Sequence, residues 1–305
     1  MAPSDALRHN GSMQSTLFVT LAPTALNTMI SGSPNTRVFT LCCTALVAAL
    51  LLAGCGSSKS SMDVSQVEQA ELVAVPIITV DQNIDMSDLQ EGGSVASDGS
   101  GTGALMQRIL NDDAFDLSPM ADLLQERTFG TYAERLPARI MPEEEVIQAQ
   151  RYENFTLLDK ESNDDRMQRV NRLEVPEGYK QYDVGSGSVF GDRQQQMFGA
   201  VPEEADAILL VSAGYEMVED NPFWYWFLPI SPDRAYVEAT VRMEMLDRDG
   251  NEIMEIVQAA RSNNHVNTVG GVTTEASKIQ PLCTEATEKA IEQIDTATKQ
   301  ELAGV

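Results

Sequence analysis

The chain has 305 residues, of which 43% are hydrophobic and 22% are charged, close to the average of soluble globular proteins. This composition argues against a chain that is disordered throughout and against a membrane protein with several spans. Lysine and arginine number 21 against 46 aspartate and glutamate residues, so the net charge is −25. Because nucleic-acid-binding proteins need a cationic surface to displace counterions, we expect no nucleic-acid partner.

An uncharged, mostly apolar run occupies residues 38–54 and follows Arg37. Its 17 residues are short for a membrane-spanning helix, which needs about 20. A cation, an apolar stretch and small residues at the end are the parts of a secretory signal peptide. We therefore predict a signal peptide over residues 1–54, with Met29 as a candidate start because 54 residues exceed the usual length.

The end of the run and the next residue form the tetrapeptide Leu52-Ala53-Gly54-Cys55, which resembles the lipobox of bacterial lipoproteins. The resemblance implies that the Cys55 thiol carries diacylglycerol, that cleavage occurs just before it, and that the new amino group is acylated, typically with palmitate. Gly56 follows where an aspartate would signal retention in the inner membrane, so we expect anchoring in the outer membrane, facing the periplasm. An ordinary signal peptide or an uncleaved anchor is the alternative.

The predicted cleavage leaves one cysteine besides the anchor, because Cys42 and Cys43 depart with the signal peptide. Cys283 is then alone in a predicted helix, where it is expected to behave as a small buried hydrophobe. The mature chain would carry 19 basic and 45 acidic residues, a net charge of −26.

The mature chain is expected to begin with a lipidated cysteine and flexible tether over residues 55–71, since this stretch has few large apolar residues. An α+β domain is predicted over residues 72–305, with a loop at 82–104. Its first strand candidate is residues 72–80, in which Pro76 favours an edge position or a bulge.

The middle of the chain predicts helices separated by short extended segments. Ser118 begins a helix that continues to about residue 136, and residues 138–141 are strand-like. Pro142 opens a second helix whose acidic first turn suits the positive end of the helix dipole, so Glu143–Glu145 indicate a helix start and not a metal or acid–base cluster. A further short helix is predicted near residues 166–173.

The last third predicts three antiparallel strands and a closing helix. The strands are residues 206–212, which are continuously apolar, residues 236–246, which alternate between apolar and polar, and residues 253–260. Asp249-Gly250 predicts the hairpin turn before the third strand. The helix is predicted over residues 281–302, with Leu282, Ala286, Ala290 and Ile294 on one face.

This order of elements resembles the periplasmic lipoprotein domain shared by the curli secretion lipoprotein family and the TolB amino-terminal domain. The matching segments are ARIMPEEEVI (138–147), ADAILLVSAGYE (205–216), YVEATVRMEMLDRDGNEIM (236–254) and IQPLCTEATEKAIEQI (279–294). The resemblance implies a single α+β domain in which helices pack on a mixed, largely antiparallel sheet. It also implies a noncatalytic adaptor or assembly factor that binds a protein partner in an envelope complex. The resemblance includes no motif from which functional residues of the family could be assigned to this chain.

A subunit of a secretion channel is the first alternative function. The channel members of the family insert two hairpins into the membrane, and the corresponding connections here are residues 217–235 and 261–275. Because a membrane strand needs about 9–11 residues, the second connection is too short as well as too polar. We therefore expect no pore.

A hydrolase of the cell envelope is the second alternative, and the sequence offers little chemistry for it. His265 is the only histidine after the signal peptide, and it lies in a polar loop without a GxSxG motif. Metal sites need several Cys, His or carboxylate ligands at fixed spacing, and only His265 and Cys283 are available besides carboxylates. We expect no enzyme activity, no metal and no cofactor apart from the covalent lipid on Cys55.

Five consecutive aromatic residues stand out in a chain that is only 6% aromatic: Phe223, Trp224, Tyr225, Trp226 and Phe227. They lie between two predicted strands and are bounded by Pro222 and Pro229. In one interpretation they cover the open end of the sheet. In the other they form a partner-binding surface, because Trp and Tyr dominate interface hot spots and membrane-interface belts. We predict the partner-binding surface, with a protein partner preferred over direct lipid contact.

Overall fold

A computed structural model describes residues 58–85, 116–156, 173–182, 191–220, 233–268 and 276–304. These residues belong to one compact unit, Gly54–Val305. They form a mixed sheet of eight strands with helices packed on it, which confirms the predicted α+β class.

The strands are β1 (Lys59–Met62), β2 (Leu72–Asp85), β3 (Arg139–Ile140), β4 (Leu173–Glu174), β5 (Ala207–Asp220), β6 (Asp233–Asp247), β7 (Glu252–Arg261) and β8 (Val266–Thr268). The α-helices are α1 (Val64–Gln69), α2 (Ser118–Arg127), α3 (Glu143–Ile147), α4 (Gln150–Asn154), α5 (Gly191–Gln196) and α6 (Ile279–Ala303). The predicted helix from Ser118 ends its α-helical part at Arg127, and the second predicted helix is divided into α3 and α4. Of the helix predicted near 166–173, only Leu173 is described, and it lies in β4.

The strand order is β1-β7-β6-β5-β2-β3, with β4 also pairing with β2 and β8 with β6. The β1–β7, β7–β6, β6–β5, β6–β8 and β2–β4 pairs are antiparallel, whereas β2 is parallel to both β5 and β3. The sheet is therefore mixed and largely antiparallel, as predicted.

Helices cover both faces of the sheet. On one face, α6 and α2 pack over β2, β5, β6 and β7, and on the other face α3 and α4 pack over β2 and the start of β5. Each face has its own cluster of buried apolar side chains. Strand β6 extends beyond the second cluster. Over that part, one face of the strand packs beneath α6 and the opposite face carries polar side chains.

The alternation of β6 explains its two faces. Val237, Ala239, Val241, Met243 and Met245 are each 0% exposed and pack in the cluster beneath α6. In the turn that follows, Gly250 has a φ of 82°, a backbone conformation that favours glycine. The predicted strand, its buried face and the turn at Asp249-Gly250 are confirmed.

The closing helix α6 also agrees with its predicted face. Leu282, Ala286, Ala290 and Ile294 are all buried against the sheet, and Cys283 beside them is 0% exposed. Thr287 lies on the same face, where its hydroxyl is 2.8 Å from that of Tyr215 on β5. The helix is thus fixed to the sheet by apolar packing and by a buried hydrogen bond.

Methionine is prominent in this larger cluster. The side chains of Met120, Met217, Met243, Met245 and Met254 are each at most 1% exposed. Met254 also accepts a hydrogen bond from the Tyr132 hydroxyl, at 3.4 Å from oxygen to sulfur. Flexible methionine side chains fill irregular space between a twisted sheet and a long helix.

Pro76 lies at a bulge of β2, which is one of the two positions predicted for it. The parallel register between β2 and β5 shifts between Ala74 and Ile77, on either side of the proline. A proline has no N–H for the ladder, and a bulge removes the need for one. The Pro76 carbonyl accepts a hydrogen bond from the buried Tyr152 hydroxyl, at 3.0 Å.

Three predicted boundaries need correction. Residues 59–70, which were expected to be tether, form β1 and α1, and Val67 is 0% exposed. The expected loop at 82–104 begins later, because β2 continues to Asp85. The expected connection at 217–235 is shorter, because the β5–β6 ladder continues to the pair Asp220 and Arg234.

Candidate functional site

A groove lies on the sheet face opposite α6. Its volume is about 310 Å³, and its floor is formed by β2, β5 and β6, including Thr79, Ser212 and Thr240. Tyr182 and Gln194, from segments beside the sheet, line its walls. These floor residues point here because the side chains of a strand alternate between faces, and their apolar neighbours occupy the other face.

The groove is open at Gly214, in the middle of β5. No heavy atom lies within 4 Å of the position that a Cβ at Gly214 would occupy. A side chain at this position would project into free space, so its absence adds depth to the groove.

Arg242 links two carboxylates at one end of the groove. Glu244 and Glu255 stand directly opposite each other in the β6–β7 ladder, and each is only 4% exposed. Arg242 Nη2 lies 3.2 Å from Glu244 Oε2 and 2.6 Å from Glu255 Oε1. Like charges directly opposite each other in a sheet repel, and the guanidinium group removes that repulsion.

Two more side chains complete this cluster. Lys59 of β1 pairs with Glu255, and Gln194 of α5 donates from Nε2 to Glu244 Oε2 at 2.8 Å. The cluster thus holds two cations and two carboxylates on β1, β6 and β7, joined by an amide from α5. Since removing one member of a buried ion pair leaves its partner unpaired, the cluster helps to fix the relative position of these four elements.

The electrostatics of Glu244 reflect this burial. Desolvation raises the pKa of its carboxyl above the ordinary value, and the charge and hydrogen bonds of Arg242 and the amide of Gln194 oppose the rise. The carboxylate is satisfied by partners within the protein, so it is poorly placed to bind a further cation.

The volume of the groove is at the lower end of the range of about 300–1,000 Å³ for small-molecule sites. Arg242 and Glu244 of its lining already bind each other, and the described lining contains neither histidine nor cysteine. The groove can accept hydrogen-bonding groups at Thr79, Ser212 and Thr240. It does not bring together a nucleophile and a histidine base from the described residues.

His265 lies elsewhere, beyond the end of β7. Its ring centroid is 5.4 Å from that of Tyr236, and the guanidinium carbon of Arg261 is 4.6 Å from the Tyr236 ring centroid. Arginine over an aromatic ring is a favourable cation–π arrangement. The histidine predicted to lie exposed in a polar loop is partly buried in this small stack.

Cys283 is the one cysteine within the described residues, and it is buried under the sheet. Burial raises the pKa of its thiol to about 12. Because the thiolate is the reactive form, this side chain is inert at neutral pH. The prediction of a small buried hydrophobe is confirmed.

The predicted lipid site and partner-binding surface lie outside the described residues. Cys55 precedes the first described residue, and Phe223, Trp224, Tyr225, Trp226 and Phe227 lie between the described ends of β5 and β6. The structure gives the positions from which these segments leave. β5 ends at Asp220 and β6 begins at Asp233, in neighbouring antiparallel strands, so the aromatic segment leaves and re-enters the sheet at one end.

In the described ranges no group of three or more His, Cys, Asp or Glu residues is arranged to hold a metal ion. Over the same ranges, no helix combines the length and hydrophobicity that crossing a membrane requires. Comparison with protein-family models, with curated proteins and with solved structures finds no match.

Proposed function

We propose that this chain is a lipoprotein anchored to the outer membrane through Cys55, with its α+β domain in the periplasm. The observation that carries the proposal is the apolar run 38–54, which ends in Leu52-Ala53-Gly54 and is followed directly by Cys55. A cation before the run, small residues at its end and a cysteine in the last position are the parts that signal cleavage and lipid attachment require together. Several acyl chains, at about 0.8 kcal/mol for each buried CH₂, make such an anchor effectively permanent.

The domain acts as a noncatalytic adaptor or assembly factor for an envelope complex. Two features of the described residues support this role over a catalytic one. The charged groups beside the groove neutralise each other, and His265 packs against Tyr236 away from the groove. The role also follows from the resemblance of residues 138–147, 205–216, 236–254 and 279–294 to the curli secretion lipoprotein and TolB amino-terminal domains.

The aromatic segment Phe223–Phe227 is the proposed contact with a protein partner. Five consecutive aromatic side chains in an extended segment point to both of its sides, so one element can cover only half of them. The β5–β6 ladder supports the idea, because it carries both ends of this segment to one end of the sheet. Tryptophan and tyrosine are enriched among the residues that carry most of the binding energy of protein interfaces.

The anchor is tested by replacing Cys55 with Ala and following lipid attachment by metabolic labelling and intact mass. The matched control is Cys283→Ser, which changes a buried thiol that is inert. We expect Cys55→Ala to lose both the acyl label and the membrane fraction, and the control to keep both. Acylated Cys55→Ala protein in the membrane fraction would refute the proposal.

The partner surface is tested by replacing Trp224 and Trp226 together with Ser. A contact surface predicts that the melting temperature changes little and that capture of the partner from cross-linked native membranes is lost. The matched control replaces both with Phe, which keeps aromatic surface and is expected to keep capture. A large fall in melting temperature would instead place the two indoles in the core, because burying them is worth several kcal/mol.

A further inference from the structure

The described domain begins very close to the proposed lipid site. β1 starts at Lys59 and pairs with β7 over four residues, and the Lys59 ammonium binds Glu255. The next turn is also fixed, since the Asp63 amide donates to the Ile253 carbonyl at 2.9 Å. The helix that follows buries Val67 completely. The chain is therefore an integral part of the sheet from Lys59 onward.

Chain length limits how far this point can lie from the anchor. Four residue steps separate Cys55 from Lys59. A fully extended chain covers at most about 3.6 Å per residue, so the two Cα atoms are at most about 14 Å apart. A tether over residues 55–71 would have allowed roughly four times that distance.

The direction of β1 gives the side from which the chain arrives. Lys59 stands opposite Val257 and Met62 opposite Met254, in an antiparallel pair. The chain before Lys59 therefore comes from the side on which β7 ends at Arg261. The β5–β6 ladder extends to Asp220 and Arg234 on that same side.

We propose that the sheet edge formed by β1 and the C-terminal end of β7 lies against the lipid bilayer. This inference rests on the proposed lipidation of Cys55, and it adds which part of the domain faces the membrane. The bilayer is the occupant because the anchor holds its surface within about 14 Å of Lys59, which is less than the distance of about 24 Å across the sheet to the opposite edge.

The chemistry of this edge suits the headgroup layer. Ser60 and Ser61 of β1 are exposed, as are Asn263 and Asn264 just after β7. The backbone N–H groups of Asn263 and Asn264 donate to the Glu285 carboxylate of α6, which holds this loop on the domain. Exposed hydroxyl and amide groups form hydrogen bonds with lipid headgroups and do not enter the hydrocarbon layer.

The opposite edge of the sheet provides a position that should lie far from the bilayer. β4 lies beside β2, five strand positions from β1. At about 4.8 Å per step, the two edges are separated by about 24 Å. Glu177 is an exposed residue just after β4.

The test measures how close each edge lies to lipid. Single cysteines are introduced as Ser61→Cys, Asn263→Cys and Glu177→Cys in the lipidated full-length protein and labelled with a small fluorophore. Cys283 does not compete for the label, because it is buried and its pKa is about 12. Each protein is placed in phosphatidylcholine nanodiscs with and without lipids that carry a spin label on the headgroup.

We expect fluorophores at Ser61→Cys and Asn263→Cys to lose most of their fluorescence to the spin-labelled lipid, and the one at Glu177→Cys to keep most of it. Equal loss at all three positions, or greater loss at Glu177→Cys, would overturn the proposal. Intact mass and co-migration with the nanodiscs report lipidation separately. An unlipidated protein would therefore overturn both proposals, whereas a lipidated protein with equal quenching would overturn only this one.

A linker variant isolates the effect of the short connection. Inserting a Gly–Ser linker of about 20 residues between Ser58 and Lys59 gives a connection whose root-mean-square length is about 25 Å. With this freedom the domain can rotate, so we expect the difference in quenching between Ser61→Cys and Glu177→Cys to decrease strongly. An unchanged difference would show that the orientation does not come from the anchor, contrary to the proposal.

Discussion

Replacing Val67 with Ala tests whether residues 59–70 belong to the domain. Val67 is 0% exposed and packs in the cluster beneath α6, although it lies in a polar stretch of sequence. The replacement removes two methyl groups, which at about 0.8 kcal/mol each gives about 1.6 kcal/mol. The cavity left behind raises the expected loss of stability to about 2 kcal/mol.

For a domain of this size, 1 kcal/mol shifts the melting temperature by about 2–4 °C, so we expect a decrease of about 4–8 °C. The measurement is a thermal melt of the purified full-length protein in mild detergent, followed by circular dichroism. The matched control is Glu68→Ala, which changes the exposed neighbour in the same helix and is expected to stay within about 0.5 kcal/mol of wild type. Equal melting temperatures for the two variants would refute the assignment of α1 to the domain and would favour the earlier interpretation of this stretch as a flexible tether.

Three further predictions concern the site and the core. Burial raises the pKa of Glu244 in the folded state above its ordinary value of 4.5. The wild-type protein is therefore fully stabilised by protonated Glu244 below pH 4.5, and it loses this stability as the pH rises through the folded-state pKa. Glu244→Gln cannot ionise, so its free energy of unfolding relative to wild type, measured by urea titration, should increase from pH 4.5 to neutral pH; a difference that does not change with pH would contradict this. Tyr215→Phe removes the buried hydrogen bond to Thr287 and should cost about 1 kcal/mol in the same assay, with little further loss when Thr287→Val is added. Gly250→Ala forces alanine into a conformation with positive φ and should cost about 1–2 kcal/mol, whereas an unchanged midpoint would show that the turn adopts another conformation.

The sequence predicted those parts of the fold in which one element repeats a clear pattern. The alternation from Val237 to Met245 was sufficient to identify β6 and its buried face. The spacing of Leu282, Ala286, Ala290 and Ile294 did the same for α6. Each pattern is strong because burial on one side imposes the period of the element on its apolar residues.

The sequence did not predict β1, and the reason is physical. Its residues, Lys59 to Met62, include three polar side chains, and the strand is stabilised by backbone pairing with β7 and by the contact between Lys59 and Glu255. Neither the partner strand nor the register can be inferred from a polar tetrapeptide. The extension of β5 could have been predicted from the sequence, because Ala213, Tyr215 and Met217 continue the alternation of apolar residues toward Asp220.

The charged cluster beside the groove was only partly visible in the sequence. Arg242 and Glu244 lie on the polar face of one strand, which the alternation of β6 shows. Glu255 joins them through the β6–β7 register, and Gln194 through the packing of α5. Such contacts require separate elements to lie close together in the fold, and that proximity cannot be inferred from a single sequence.

The methionines beneath α6 have a consequence for protein damage in an oxidising compartment. Peroxide converts a methionine thioether to the polar sulfoxide, but only where it can reach the sulfur. Met243, Met245 and Met254 are at most 1% exposed, so each reacts only when the core opens, whereas Met62 on the edge strand is partly accessible in the folded state. The amount of sulfoxide at the buried methionines relative to that at Met62, measured by mass spectrometry, would therefore report how often the core of the folded domain opens.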